Sequence, residues 1–312
     1  MTSPMTITAT AAGTWKLGDS TVGRVGLGAM RLTGSAAFHL GVPREREQSI
    51  AVLRRAVELG VNHIDTAAFY FSSLRSANEL INSALGGPYP DDLVIVTKVG
   101  PHREYSGEWG TSARPDQLRG QVEENLRQLG RDHLDVVNLR RMRQDSIAEH
   151  FGALAELREA GLIRHLGISA VEPRHLAEAQ AIAPVVCVQN QYGLHSPDPD
   201  ADEMLRLCGE QGIAFVPFYA ISGEAGPERA SLADRDELLA VARAHDATTA
   251  QVRLAWTLHQ GPHVLAIPGT GNPDHLMENV AAGALRLTED ELALLDAVHQ
   301  GPQGQSGANG FI

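Results

Sequence analysis

Two rhythms of hydrophobic residues alternate along this chain. Stretches with an apolar residue every three or four positions, the period of a helix buried on one face, give way to short continuous apolar runs, the mark of strands covered on both faces. The helical period appears over about 44–59, 75–85, 115–129, 146–160, 173–182, 202–211, 235–244 and 249–259. The apolar runs are 24–30, those ending at Asp65, at Lys98 and near Asn138, then 164–169, 185–189, 213–217 and 264–267. Eight buried strands in strict alternation with helices predict an α/β fold, a closed parallel (β/α)8 TIM barrel. Ahead of it, Thr14 to Val22 alternates about a Gly18-Asp19 turn and predicts a short N-terminal β-hairpin. Residues 1–312 read as a single domain, with 1–12 and 301–312 as flexible tails. The breaks between runs have local causes: Gly60, Gly130, Gly161 and Gly212 each follow a helical stretch, as helix-ending glycines do, and Pro115 and Pro173 open one.

Composition narrows the class. Hydrophobic content of 43% with 21% charged residues supplies a core and a soluble surface. A net charge of -12 and the lack of a basic cluster exclude a nucleic-acid partner. The first residues lack the basic start and apolar centre of a signal peptide, and no stretch is long enough to span a membrane. Cys187 and Cys208 read as buried thiols of a reducing compartment, which makes a cytoplasmic location the expectation. Histidine and cysteine spacings match no metal site, so no metal is expected. Gly26-Leu-Gly28 opens like a dinucleotide fingerprint, but the third glycine is absent and the chain runs on through Arg31 into a loop, which sets a Rossmann fold aside.

The candidate chemistry collects at the carboxyl ends of the strands, where Asp65, Lys98, Asn138, Ser169 and Gln189 fall and where barrels of this kind place their sites. Lys98, closing an apolar strand, needs a counter-charge or loses its proton, and the neighbouring strand offers Asp65. Tyr70 follows in the loop after Asp65; an ammonium beside its phenol stabilises the phenolate and suits it to give up a proton. His63 faces the same side as Asp65, one layer deeper, and reads as a core histidine with its hydrogen bonds satisfied. His133 and His165 fall at amino ends, away from the chemistry. The long loop from Gly100 to Thr111 is expected to wall the substrate pocket, with His102 and Trp109 as substrate contacts.

Asp65, Tyr70 and Lys98 disposed in this way resemble the aldo-keto reductases, in which a tyrosine acid is tuned by a lysine that an aspartate holds. In Leu134-Asp-Val-Val-Asn-Leu-Arg140 the arginine stands where that family carries a histidine. With Val188-Gln-Asn-Gln-Tyr192 and Ile267-Pro-Gly-Thr270, the chain is similar to the bacterial branch containing pyridoxal reductases, from about Val22 to about Val298. The resemblance implies reduction of a small-molecule aldehyde or ketone, such as pyridoxal, by NADPH in preference to NADH. It implies nicotinamide contacts from Ser169, Gln189 and a stacked Phe218, and pyrophosphate contacts from the main chain of Tyr219 and Ile221. Thr270, Asn272 and His275 remain for the 2′-phosphate, since Gly269 and His275 stand where many relatives have lysine and arginine; Glu278 and Asn279 match adenine contacts. Ala170 replaces the asparagine of the family's Ser-Asn pair. Arg140, always charged and only a donor, is expected to polarise the substrate oxygen or hold an anionic or phenolic substituent, the alternative being an ion pair with Asp145. A sugar or alcohol dehydrogenase and a slow-turnover nicotinamide-binding regulatory subunit are the competing readings. Oligomeric state has no signature here.

Overall fold

Strands β1 (Thr14–Leu17) and β2 (Ser20–Gly23) form the expected antiparallel hairpin. The strands that follow, β3 (Leu27–Gly28), β4 (His63–Asp65), β5 (Val94–Val99), β6 (Leu134–Arg140), β7 (Ile163–Ser169), β8 (Val185–Gln189) and β9 (Ala214–Phe215), pair in parallel and in chain order. These coordinates are a computed structural model, which describes residues 7–34, 41–221 and 232–300. Around the sheet run α1 (Arg46–Glu58), α2 (Ala77–Leu85), α3 (Leu118–Leu129), α4 (Ala148–Glu159), α5 (Pro173–Gln180), α6 (Pro199–Gln211), α7 (Leu232–Ala244), α8 (Thr249–His259), α9 (Pro273–Ala281) and α10 (Glu289–Gln300).

Several expectations need correction. The eighth strand, expected over 264–267, is not a regular strand. Single parallel bridges, Phe215 with Val264, Val25 with Ala266 and Gly28 with Gly269, join the last strand to the first and close the ring. Pro262 and Pro268 bracket that run and lack the N–H groups a continuous ladder needs. The first strand is likewise shorter than 24–30, because Ala29–Leu32 turns into a 3-10 helix. Capping moves two helix starts: the Ser76 hydroxyl accepts from the Glu79 N–H ahead of α2, and the Asp198 carboxylate accepts from the Asp200 N–H, so α6 begins before Asp202. Helix α10 was not foreseen, although Thr288 and Glu291 form a reciprocal cap at its start. The N-terminal segment is not wholly a flexible tail: Ala9–Ala12 forms a 3-10 turn, and the buried Ala9 donates its N–H to the Leu59 carbonyl at 2.9 Å. Residues 1–6 and 301–312 lie outside the described residues.

Alternation along each strand sorts the barrel interior into layers. An apolar cluster of Val94, Val96, Val136, Cys187, Ala214, Val216 and Leu265 fills it, and Leu17 and Val22 of the hairpin cover its base. At the base the ring of His165 meets Asp19 at 2.8 Å and lies so close to Gly18 that a Cβ there would sit 2.4 Å away. With φ at +65°, Gly18 supplies both the turn and the space. Two residues further along β5, β6, β7 and β8 the inward positions become Lys98, Asn138, Ser169 and Gln189. Polarity therefore rises from a sealed base to a polar mouth.

His63 lies just beneath that mouth, 1% exposed and packed on Gly26, where a Cβ would fall 2.2 Å from Nε2. Its hydrogen bonds are not satisfied as expected, for neither ring nitrogen has a partner among the described residues. Burial pushes its pKa down to about 4, only weakly offset by the nearby Gly23 backbone. The unfolded chain, with an ordinary histidine near 6.5, therefore binds the extra proton first as pH falls. The stability in question is present above pH 6.5 and lost on descending to about 4, amounting to about 3 kcal/mol. In urea denaturation, His63→Leu should lose about 3 kcal/mol less than wild type between those pH values. Equal pH slopes for the two proteins would contradict the assignment.

Candidate active site

Parallel register brings the polar residues of the mouth side by side: Lys98 is paired with Asn138, Arg140 with Ser169, and Ser169 with Gln189. The Lys98 ammonium, 2% exposed, lies 2.7 Å from both Asp65 oxygens and donates also to the Thr66 carbonyl at 3.0 Å. Its Nζ is 4.9 Å from the centre of the Tyr70 ring. Burial works to lower the Lys98 pKa, but the Asp65 carboxylate and the Tyr70 phenol outweigh it and the net shift is upward. Lysine, carboxylate and phenol thus form one contact group with the cation retained. Asp65 Oδ1 accepts a further bond from Gln189 Nε2 at 2.9 Å, Gln189 Oε1 accepts from Asn138 at 3.3 Å, and Asn138 Oδ1 accepts from the Cys187 thiol at 3.2 Å. That chain runs through space left by Gly167, where a Cβ would lie 2.1 Å from Asn138 Oδ1.

Tyr70 is 6% exposed and held on a short turn, its N–H donating to Ala67 O at 3.0 Å and its carbonyl accepting from the Ala77 N–H at 2.9 Å. Phe69 packs edge-on against both Tyr70 (5.2 Å) and Trp109 (5.7 Å), which brings Trp109 to the site. His102 is not brought there. Its ring turns onto its own loop, 3.0 Å from Glu104 Oε1 and over Gly110. Arg140 is half-buried, with Nε lacking a partner among the described residues and Cζ 5.8 Å from the centre of the Phe218 ring. The alternative pairing with Asp145 does not form, because Asp145 meets Arg174 at 2.8 Å; the next residue, Arg141, points away to Glu172 at 2.9 Å.

With this arrangement established, comparison with known proteins is decisive: residues 24–300 match the aldo/keto reductase family. The chain belongs to that family. Pyridoxine 4-dehydrogenase of Escherichia coli K12 is 44% identical to it, over 92% of this chain and 99% of that protein. A probable aldo-keto reductase of Glycine max is 30% identical over 87% and 84% of the respective chains. An aldo/keto reductase of Klebsiella pneumoniae, solved in complex with NADP and acetate, has a TM-score of 0.75 at 27% identity, covering 94% of this chain and 97% of that one. A thermostable aldo-keto reductase solved with the inhibitor epalrestat gives 0.76 at 31%, covering 91% and 99%.

The remaining residues expected from the family resemblance have the following surroundings. Ser169 Oγ is buried with no partner among the described residues. Gln189 is already bonded on both sides, to Asp65 and Asn138, leaving one N–H and one lone pair for any other ligand. Phe218 is tied to the strand by its N–H to Asn190 O at 2.9 Å, and Ile221 O accepts from Arg253 at 2.8 Å. Ala170 and Tyr219 both adopt left-handed backbone, at φ +57° and +64°, and strain of this kind gathers at functional sites. Before α9, Thr270 Oγ1 accepts from the Asn272 N–H, and Asn272 caps the helix through the Asp274 N–H at 2.8 Å. His275 is exposed on α9, Asn279 is buried, and the Glu278 carbonyl accepts from Gln251.

Three arginines escaped the sequence reading. A Cβ at Gly271 would lie 2.1 Å from Arg44 Nε, and one at Gly269 would lie 3.6 Å from Arg31 Cγ. Gly271 thus leaves room for the Arg44 guanidinium beside the start of α9, and the Arg31 side chain packs next to Gly269. The clue was available in Gly-Thr-Gly271 following a strand, where small residues usually mark a close approach. The third is Arg103, buried in the loop after β5.

Proposed function

We propose that this aldo/keto reductase reduces an aldehyde with NADPH, pyridoxal to pyridoxine being the substrate pair that fits best, with Tyr70 as the proton donor. The contact of Asp65, Lys98 and Tyr70 at the barrel mouth is the observation that carries the reading. The 44% identity to a pyridoxine 4-dehydrogenase, named for the reverse direction, supports the substrate pair. The mouth offers groups a cofactor could use: an orphaned Ser169 hydroxyl for the carboxamide and, before α9, the Arg44 guanidinium in the space left by Gly271, with Arg31 beside Gly269. Those cations suit a 2′-phosphate better than the end of α9 does, where Asn272 already caps and Asp274 is acidic.

When bound, NADPH supplies the hydride. The Tyr70 phenol gives its proton to the carbonyl oxygen as alkoxide charge develops there. Lys98 favours the phenolate left behind, and Asp65, held by Gln189, keeps the ammonium charged and aimed. Arg140 holds the phenolic hydroxyl oxygen beside the aldehyde: its guanidinium only donates, and its Nε has no acceptor among the described residues. In the oxidising direction the same groups serve with the proton moving back to Tyr70.

Initial rates at saturating NADPH test this reading. Pyridoxal should give a higher kcat/KM than simple aliphatic aldehydes and sugars. Arg140→Met should lower that value for pyridoxal by about 10- to 100-fold, the loss of a charged hydrogen bond. 4-Pyridinecarboxaldehyde, which lacks the phenolic hydroxyl beside the aldehyde, should lose much less. Background activity with pyridoxal would overturn the substrate, and equal losses for the two aldehydes would overturn the part given to Arg140.

A further inference from the structure

We propose that Arg103 is a positioning residue that sets Tyr70 against Lys98 and couples the proton donor to the pocket-wall loop. The proposal rests on Tyr70 being the acid.

Arg103 is only 6% exposed. Its Nη1 donates to the carbonyl of Phe69 at 3.1 Å and to that of Phe71 at 2.7 Å, the residues on either side of Tyr70. Since Tyr70 bonds through its own N–H to Ala67 and through its own carbonyl to Ala77, three successive carbonyls of this turn are held. The guanidinium lies over the Phe71 ring, with Cζ 4.3 Å from its centre, so its plane as well as its charge is used.

At its other end, Arg103 belongs to the lobe that carries the pocket wall. Its Nε donates to Gly107 O at 3.1 Å, and its backbone bridges antiparallel to Trp109, whose ring packs on Phe69. One residue therefore ties the loop that carries Trp109 to the main chain beneath the acid. A shift of the lobe on substrate entry is carried directly to Tyr70.

Packing alone does not account for this arginine. Burial lowers its pKa, and among the described residues no carboxylate offsets that cost. Its Nη2 is buried with no partner among the described residues. A buried cation compensated only by carbonyls destabilises a fold relative to an apolar residue of similar size, which implies a role other than stability. Loss of the clamp frees the turn, and displacing a reacting group by about 1 Å can cost about 100-fold in rate.

The test uses the full chain carrying Arg103→Ala, with single-turnover decay of bound NADPH followed across a pH series. The expected result is a rate lower by about 10- to 100-fold. The alkaline limb of the profile should also move to higher pH, as a phenol drifting from its ammonium becomes a weaker acid, while NADPH affinity stays within about twofold. A merely structural role would lower the rate equally at every pH. A rate within about twofold of wild type, or a fall that leaves the limb in place, would overturn the proposal. If Arg103→Ala does not fold, Arg103→Lys, which keeps the charge and loses the planar stack, is read in the same way. Tyr70→Phe is run alongside. If that variant keeps the wild-type rate, the acid assignment has failed; if it is slow while Arg103→Ala is fast, only the clamp has failed.

Discussion

Tyr70→Phe should slow hydride transfer from bound NADPH by about 10²- to 10⁴-fold, the range for removing a positioned general acid, and leave cofactor affinity and fold unchanged. The substitution takes away one hydroxyl and little else. The ring keeps its edge-on contact with Phe69 at 5.2 Å, and the turn keeps its main-chain bonds to Ala67 and Ala77. At 6% exposure the site gives water poor access to the place of the lost proton. Single-turnover decay of NADPH absorbance measures the chemical step directly, with circular dichroism as the check on folding. A variant as fast as wild type would mean that the proton comes from elsewhere. The same assay on wild type distinguishes an enzyme from a slow cofactor-binding regulator.

Asp65→Ala should lower the unfolding free energy by about 3–5 kcal/mol, because it leaves the Lys98 ammonium buried with only carbonyl and phenol partners. Both side chains of the pair are at most 5% exposed, so water cannot replace the missing carboxylate. The Lys98 pKa is raised in the folded state, so the pair's contribution is complete below the ordinary lysine value and fades only as pH rises through the folded one. Measured near neutral pH, the loss should therefore appear in full. Asp65→Ala combined with Lys98→Met, which removes both charges, should recover most of the stability and none of the activity. Urea denaturation of the three proteins decides the matter. A single variant within about 1 kcal/mol of wild type would show the ion pair to be dispensable to the fold.

Much of the site was legible because its residues break local patterns. Lys98 ends an apolar strand and Asp65 ends its neighbour, so their contact could be anticipated from burial and strand adjacency. Arg140 was placed by the family resemblance, standing where a histidine is usual, rather than by any local pattern. The direction of His102 was not legible, because a loop without a hydrophobic period gives no face on which to place a side chain, and the structure turns it toward Glu104. Arg103 was missed for the same reason one position later. The eighth strand was recognised as a position in the ring but not as an irregular one, since two flanking prolines act on hydrogen bonding rather than on hydrophobicity.

The order of helices and strands, the direction each strand residue faces, and the mouth at which the charged groups gather were set by the chain alone, because each depends on neighbours a few positions away. Only the folded barrel decided that Gln189 would hold Asp65, 124 positions earlier, that His63 would lie unpartnered against Gly26, and that Arg31 and Arg44 would reach the glycines before α9. Those contacts cross the lumen or join loops from distant parts of the chain. Distances of that kind are set by ring closure and side-chain packing, which no local period encodes.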